Sequence, residues 1–314
     1  MRRLMVYGYE HDHDLTNVNL GDYIQSIAAN QFMRTLSRES YFSRDNMEVL
    51  RQNDFAILNG WYRIDEKAHL LRFPVNVLPV SIHVSNPEAT EDIRKVIAEW
   101  EINGDGGIGC RDLSTLNLLK KKMGFNAYFS SCLTTTLFYQ FGRAPFEERE
   151  GVVFCDVDLE NMFPVRHVYH FSKMFRRRKI EKLLNEIVAP YKNEFFEKVS
   201  HSCSVLMSHE NRFALASDLL RKYSRAKLVV TSRIHCALPC VAMGTPVILL
   251  VRRYDQLRYP GIDQFLNRIY LDSHDKLVVD VNSRCGMVFN NDKHIPYAEK
   301  LISQCESFVR GACS

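Results

Sequence analysis

Along the first half of the chain, short apolar runs alternate with stretches whose apolar positions recur every three or four residues. This is the pattern of strands feeding amphipathic helices in parallel α/β units. Leu4 to Tyr9 reads as a first strand, Asp22 to Leu36 as a helix, Phe55 to Asn59 and Val80 to Val84 as strands, and Asp92 to Trp100 as a helix. A glycine-rich turn, Gly106 to Gly109, precedes a helix from Ser114 to Met123 that Gly124 closes in the left-handed conformation, and Phe125 to Ser131 reads as the closing strand. Tyr139 to Gly151, with Gly142, Pro145 and several acidic residues, has the composition of a linker.

A second set begins at Val152 to Val157. It continues through Val168 to Phe171, the basic helix Arg177 to Tyr191, Ser204 to Met207, the helix Arg212 to Tyr223, the strand Ala226 to Val230, the helix His235 to Met243 and the strand Val247 to Val251. The expected fold is therefore α/β, with two Rossmann-like domains, 1–140 and 151–314, facing a cleft and a C-terminal helix packing back on the first. Ligands of such open sheets lie beyond the carboxyl ends of the strands, so chemistry is sought in the loops that follow them. No internal sequence repeat is visible.

The length of 314 residues agrees with two domains, and 46% hydrophobic with 25% charged residues is ordinary for a folded chain. A net charge of only +4 gives no field suited to nucleic acid. The start, Met-Arg-Arg-Leu-Met-Val-Tyr-Gly, lacks the apolar length of an export signal, and the longest apolar runs are strand-sized, too short for a membrane span. Nine cysteines without a CxxC pair read as free thiols, and a cytoplasmic protein is expected.

The richest stretch is Thr231 to Pro246. Pro239 is best tolerated in the first turn of a helix, so that helix is expected to begin near Ser232 to His235, which places Arg233 and His235 at its positive end. Unpaired N–H groups and a guanidinium fork there suit phosphate or carboxylate. Asn19-Leu-Gly21-Asp22 is a second possible ligand-facing helix start, equally explained by an Asp cap. Gly106 to Asp112, with Arg111 before a helix capped near Ser114, is either an anion loop or a structural turn.

Other groups carry less. His83 ends an apolar strand, as a base or as a structural residue; His167 and His170 near Arg166, and His209 with Glu210, are equally open. His11-Asp-His-Asp14 is too compact to complete a coordination sphere, so no metal site is expected. The run Arg176 to Lys179 reads as a solvated helix start that can also meet an acidic membrane.

On Asn-Leu-Gly-Asp near residue 20, Arg111-Asp112 with Ser114, and Arg233-Ile234-His235 running into Ala-Met-Gly-Thr-Pro, the chain resembles the polysaccharide pyruvyltransferase family. The resemblance implies a two-domain, GT-B-like glycosyltransferase architecture, with the acceptor on the first domain and the donor on the second. It implies transfer of pyruvate from phosphoenolpyruvate to two hydroxyls of a sugar, as a cyclic ketal, with no further cofactor. The acceptor is expected to be a hexose on a lipid-linked or polymeric glycan, with peripheral contact at the inner membrane face.

Arg233 and Arg111 are then expected on the donor's anionic groups and His235 on phosphate or in proton transfer, with Asp22 and His83 as further catalytic candidates. Ile234, Arg258, Asn19, Gly21, Asn59 and Trp61 are the remaining substrate-contact candidates. The chain departs from many relatives at Leu58-Asn-Gly-Trp-Tyr62, where they carry a glycine-rich turn. It also has Arg252, Arg253 and Arg258 where they often carry a lysine, which keeps the charge but not the proton chemistry. The competing readings are a nucleotide-sugar glycosyltransferase and a non-catalytic scaffold.

Overall fold

Two six-stranded sheets form from the β-branched and aromatic runs of the two halves. They are seen in a computed structural model that describes residues 3–7, 16–33, 40–52, 54–71, 75–86, 88, 90–104, 106–157, 159, 171–253, 255–274 and 276–311. In the first sheet, β1 (Arg3–Tyr7) pairs on either side with β3 (Ser40–Ser43) and β4 (Phe55–Tyr62). The sheet continues through β5 (Asn76–Val84), β6 (Ile108–Cys110) and β7 (Ala127–Phe129), every pair parallel. The short β2 (Asn17–Asn19) leaves this sheet.

The second sheet contains β8 (Val152–Cys155), β9 (Phe196–Val199), β11 (Leu228–Thr231), β12 (Val247–Arg253) and β13 (Asn267–Leu271) in parallel, with β14 (Leu277–Asp280) antiparallel at the edge. Its order is β14-β13-β12-β11-β8-β9, and β10 (Ser202–Ser204) crosses to pair antiparallel with β2. Taken in chain order, both sheets run second, first, third, fourth, fifth, sixth. One topology is thus repeated without a repeated sequence, and the order reverses at β1/β4 and again at β8/β11, where such sheets open a ligand crevice.

The helices explain how the halves are joined. The long ones are α1 (Leu20–Met33), α2 (Glu91–Ile102), α3 (Phe171–Val188), α4 (His209–Arg225), α5 (Ile234–Ala242) and α6 (Ile295–Gly311). α2 is an ordinary surface helix: Thr90 caps it through Ile93 N–H, and Ile93, Val96, Ile97 and Trp100 form its one buried stripe. α1 is buried nearly all round because one core cluster joins its Ile24, Ala28 and Phe32 to Leu220 and Tyr223 of α4 and Val241 of α5. α6 returns to the first half, where the Phe308 ring stacks on Phe55 at 3.9 Å and Gln304 donates to the Tyr128 hydroxyl at 2.8 Å. No helix among the described residues is long and apolar enough to cross a membrane.

Several expectations are corrected. β3, β6 and β9 are strands of three or four residues that the pattern did not announce; β6 lies inside the supposed glycine turn. Gly109 is required there because a Cβ would come within 2.9 Å of Ser130 Cβ. The strand expected at Ser204 to Met207 covers only Ser202–Ser204 and stands outside the main sheets. α5 begins where expected, yet Pro239 lies in its second turn, so it has no N–H to offer the carbonyl of His235. Positions 168–170 of the expected strand at Val168 to Phe171 lie outside the described residues.

The supposed linker is anchored. Arg149 is buried, and its guanidinium donates to the carbonyls of Ala144, Ser224 (2.9 Å) and Met243 (2.8 Å) and to the Thr245 hydroxyl. Arg149→Met keeps the aliphatic stem but strands these acceptors, and is expected to lower stability by about 2–4 kcal/mol in urea unfolding. A loss within experimental error would mean that this segment is a passive tether.

Candidate functional site

The carboxyl ends of β4, β5 and β6 bring the first group of side chains together. A register shift between Leu58 and Gly60 sets Trp61 opposite His83 and Tyr62 opposite Val84. Opposed residues of a parallel pair share a face, so Trp61 and His83 lie on one side and Tyr62 on the other. Tyr62 is a core residue, edge-on to Trp100 at 5.0 Å. Trp61 is half-buried beneath the Arg44 guanidinium, which sits 4.8 Å from its ring and donates to its carbonyl. Asn59, buried, donates to the Gln25 carbonyl at 3.0 Å and so braces β4 against α1.

His83 is held by a carboxylate. Its Nδ1 lies 2.6 Å from Asp112 Oδ2, while Asp112 Oδ1 accepts from Thr115 N–H at 2.9 Å. Asp112, not Ser114, is therefore the cap of the short helix Leu113–Leu116. Ser114 is used elsewhere: its hydroxyl donates to the Gln256 carbonyl at 2.7 Å, and Leu113 N–H donates to Pro260 O at 2.8 Å. These bonds stitch the loop after β12 to the first half and bring Arg258 with it.

Arg111 is the unusual member. It is 1% exposed, and its Nε, 3.4 Å from Asp112 Oδ2, has no well-formed hydrogen bond among the described residues. Burial, and then the positive field of Arg111, pull His83 down to about 4 although Asp112 opposes them. Against burial, the His83 hydrogen bond and Arg111 hold Asp112 below the usual carboxylate range. A neutral imidazole, an ionised carboxylate and a cation with an unpartnered Nε thus share one dry corner.

The second half supplies His235, in the first turn of α5. It is buried, with Nε2 lacking a hydrogen-bond partner. Burial first, then Arg111 and Arg258, lower its affinity for a proton well below that of free imidazole. Its neighbour is the start of α1: a Cβ on Gly21 would stand 3.1 Å from His235 Cβ and 3.3 Å from Nδ1, so a larger residue would push the two helix starts apart by a few tenths of an ångström. Asn19 is the residue that caps α1, accepting from Gly21 N–H at 3.0 Å, while Asp22 lies within the first turn and accepts from Gln25 Nε2.

The structure brings His83, Arg111, Arg258, Gly21 and His235 together. Ile234 is buried in the core cluster. Arg233 turns to Asp156, with Nε 2.6 Å from Oδ2, while Arg258 acts with Arg111 on His235. Asp156 sits at the second reversal point with φ +50°, and its Oδ2 also accepts His201 N–H. Asp112 was read in the sequence only as part of the Arg111-Asp112 motif, without a role, and Asp156 and His201 went unread. Only Asp112 left a signal, as an N-cap type before a helix. His11 to Asp14, Arg166, His167 and His170 lie outside the described residues, as do the side chains of Arg176, Arg252 and Arg253.

The sequence profile of the family described as polysaccharide pyruvyl transferase matches residues 19–254. Among curated protein sequences, none matches the chain. Of solved structures, a Staphylococcus aureus MnaA–UDP complex is similar at 8% identity and TM-score 0.43, over 88% of this chain and 86% of that one. A Methanocaldococcus jannaschii UDP-GlcNAc 2-epimerase bound to UDP-GlcNAc and UDP is similar at 11% and 0.42, over 99% of each chain. The Escherichia coli heptosyltransferase WaaC with ADP is similar at 12% and 0.34, over 87% and 93%. These likenesses are slight, and the two sheets themselves carry the fold assignment.

The state of His83 makes a pH prediction. It titrates near 4 when folded against 6.5 when unfolded, so the unfolded chain binds more protons between those values. Stability therefore falls as pH falls through that window, by up to about 3 kcal/mol from this group alone. His83→Gln is expected to make the decline shallower in urea titrations across the same range; an unchanged slope would assign the decline to other groups.

Proposed function

The chain belongs to the polysaccharide pyruvyl transferase family, and from that premise we propose that it moves the enolpyruvyl carbons of phosphoenolpyruvate onto two hydroxyls of a sugar, closing a cyclic pyruvate ketal. The observation that carries the reading is Arg111, a fully buried cation whose Nε lacks a hydrogen-bond partner, beside two neutral imidazoles. A donor bearing a carboxylate and a phosphate close together supplies the missing negative charge, and a guanidinium meets either group through two parallel hydrogen bonds. Arg258 adds a second positive charge from the stitched loop, and the meeting starts of α1 and α5 add their dipoles.

In the proposed reaction a proton adds to the methylene carbon of the donor, and a sugar hydroxyl attacks the positive carbon so formed while a base takes its proton. The bond to phosphate then breaks and the second hydroxyl closes the ring, releasing inorganic phosphate. His83 suits the base: its Nδ1 bond to Asp112 fixes the ring and leaves Nε2 to face the acceptor. His235 serves as a phosphate contact or as a proton carrier, and Trp61, on the His83 face, is placed to border the sugar. The acceptor is proposed to be a hexose of a lipid-linked or polymeric glycan, handled on the cytoplasmic side. The exposed Arg178 and Lys179 of α3 support contact with an anionic membrane face.

The test is phosphate release from phosphoenolpyruvate with β-galactoside, glucoside and mannosamine acceptors. Acceptor-dependent release is expected from the native chain, with a fall of about a hundredfold or more in kcat/KM for Arg111→Gln and His83→Gln. Arg111→Lys is expected to recover little, because an ammonium cannot reproduce the fork. No release with any acceptor, together with tight binding of a nucleotide-sugar, would replace this reading with that of a glycosyltransferase.

A further inference from the structure

Below the Asp156–Arg233 ion pair lies a cluster that the proposed reaction does not use. Cys155 is the last residue of β8, His201 sits in the turn between β9 and β10, and Cys236 is in the first turn of α5. One donor atom from each, two sulfurs and a ring nitrogen, lie within 4.8 Å of one another. All three residues are 0% exposed. The His201 ring stacks on Tyr223 at 5.8 Å, yet no well-formed hydrogen bond reaches either of its nitrogens. A buried imidazole left unpaired at both nitrogens costs on the order of a few kcal/mol, a penalty that metal coordination would relieve at one of the two.

We propose that Cys155, His201 and Cys236 bind a zinc ion. Two thiolates and an imidazole are the soft and borderline donors zinc prefers, whereas magnesium and calcium require oxygen ligands. Charge selects among the thiophilic ions. Two thiolates cancel the double charge of zinc, which a water-free site tolerates; copper(I) would leave a net negative charge with no solvent to stabilise it. Binding exchanges the two thiol protons for the ion, so each zinc taken up releases two protons. Tetrahedral zinc–sulfur bonds place two sulfurs about 3.8 Å apart, so the cluster contracts by at most about 1 Å, and the fourth position goes to a small ligand.

The ion would act on the neighbouring site through the backbone. Cys155 precedes Asp156, Cys236 follows His235, and His201 donates its N–H to Asp156 while its carbonyl accepts from Leu20 at the start of α1. One ion thereby fixes β8, α5 and α1 relative to one another. The inference stands on the cluster alone and does not depend on the pyruvyl-transfer reading.

The experiment is metal analysis of the full chain after dialysis, followed by anaerobic replacement with cobalt(II). About one equivalent of zinc is expected, and the cobalt form should show sulfur-to-metal charge transfer with the visible bands of a tetrahedral site. Cys155→Ser and Cys236→Ser should lose both, while Cys305→Ser, at a buried cysteine of α6 outside the cluster, should keep them. The native chain decides the matter even if the serine variants misfold. Less than about a tenth of an equivalent with no charge-transfer band would overturn the proposal, as would a Cys155–Cys236 disulfide found by mass.

Discussion

Arg111 is sealed from water with a single carboxylate 3.4 Å from its Nε, and much else in the site follows from that charge. Withdrawing a guanidinium from solvent costs several kcal/mol unless opposite charge and hydrogen bonds offset it. Asp112 supplies part of the offset, but it is shared with His83 and with the Thr115 N–H. Burial first, and then the outward field of this partly compensated cation, keep both His83 and His235 neutral. Replacing Asp112 would therefore do more than untie His83, since Arg111 would lose the counter-charge beside it and the corner would destabilise as a whole.

The repeated topology places this corner. Each sheet reverses between its first and third strands, and the chain puts a helix start beside each reversal: α1 after β1 and α5 after β11. Such starts meet this closely because Gly21 puts no side chain between them. Two features hold them there. The core of α1 is continuous with α4 and α5, and the loop after β12 is hydrogen-bonded to Leu113 and Ser114. Gly261 allows that loop to lie close, since its φ of +96° and the Phe129 and Leu113 side chains exclude a larger residue. The cleft is thus built by packing, not left to the relative motion of two independent halves.

Long elements were legible in the sequence because periodicity needs length to speak. α2, α4 and α5, and the strands at Phe55, Val152 and Val247, were all visible, as was the left-handed cap at Gly124. The three-residue β6 was hidden by its own glycine, which serves close packing against Ser130 and not a turn. Tyr139 to Gly151 looked like a linker because composition cannot show that Arg149 reaches the carbonyls at 224 and 243. Arg111, Gly21 and His235 were picked out one by one from local helix-start chemistry. The His83–Asp112 pair, the turning of Arg233 to Asp156 and the Cys155–His201–Cys236 cluster were not, since each joins segments far apart in the chain without a spacing rule.

Arginine at positions 111 and 258 also constrains where protons can move in the proposed reaction. Arginine is a poor proton donor or acceptor near neutral pH, so transfer in the proposed reaction must pass through a histidine or a carboxylate. In the free protein both histidines are neutral because burial and two cations make them so. In that reaction, a multiply charged anion bound between Arg111 and Arg258 would offset the second of these causes and so raise the proton affinity of His235, in the first turn of α5, while His83 stays tied to Asp112. Donor binding would thereby divide the two imidazoles into a proton carrier and a proton acceptor, a division that the proposal requires and the free protein does not contain.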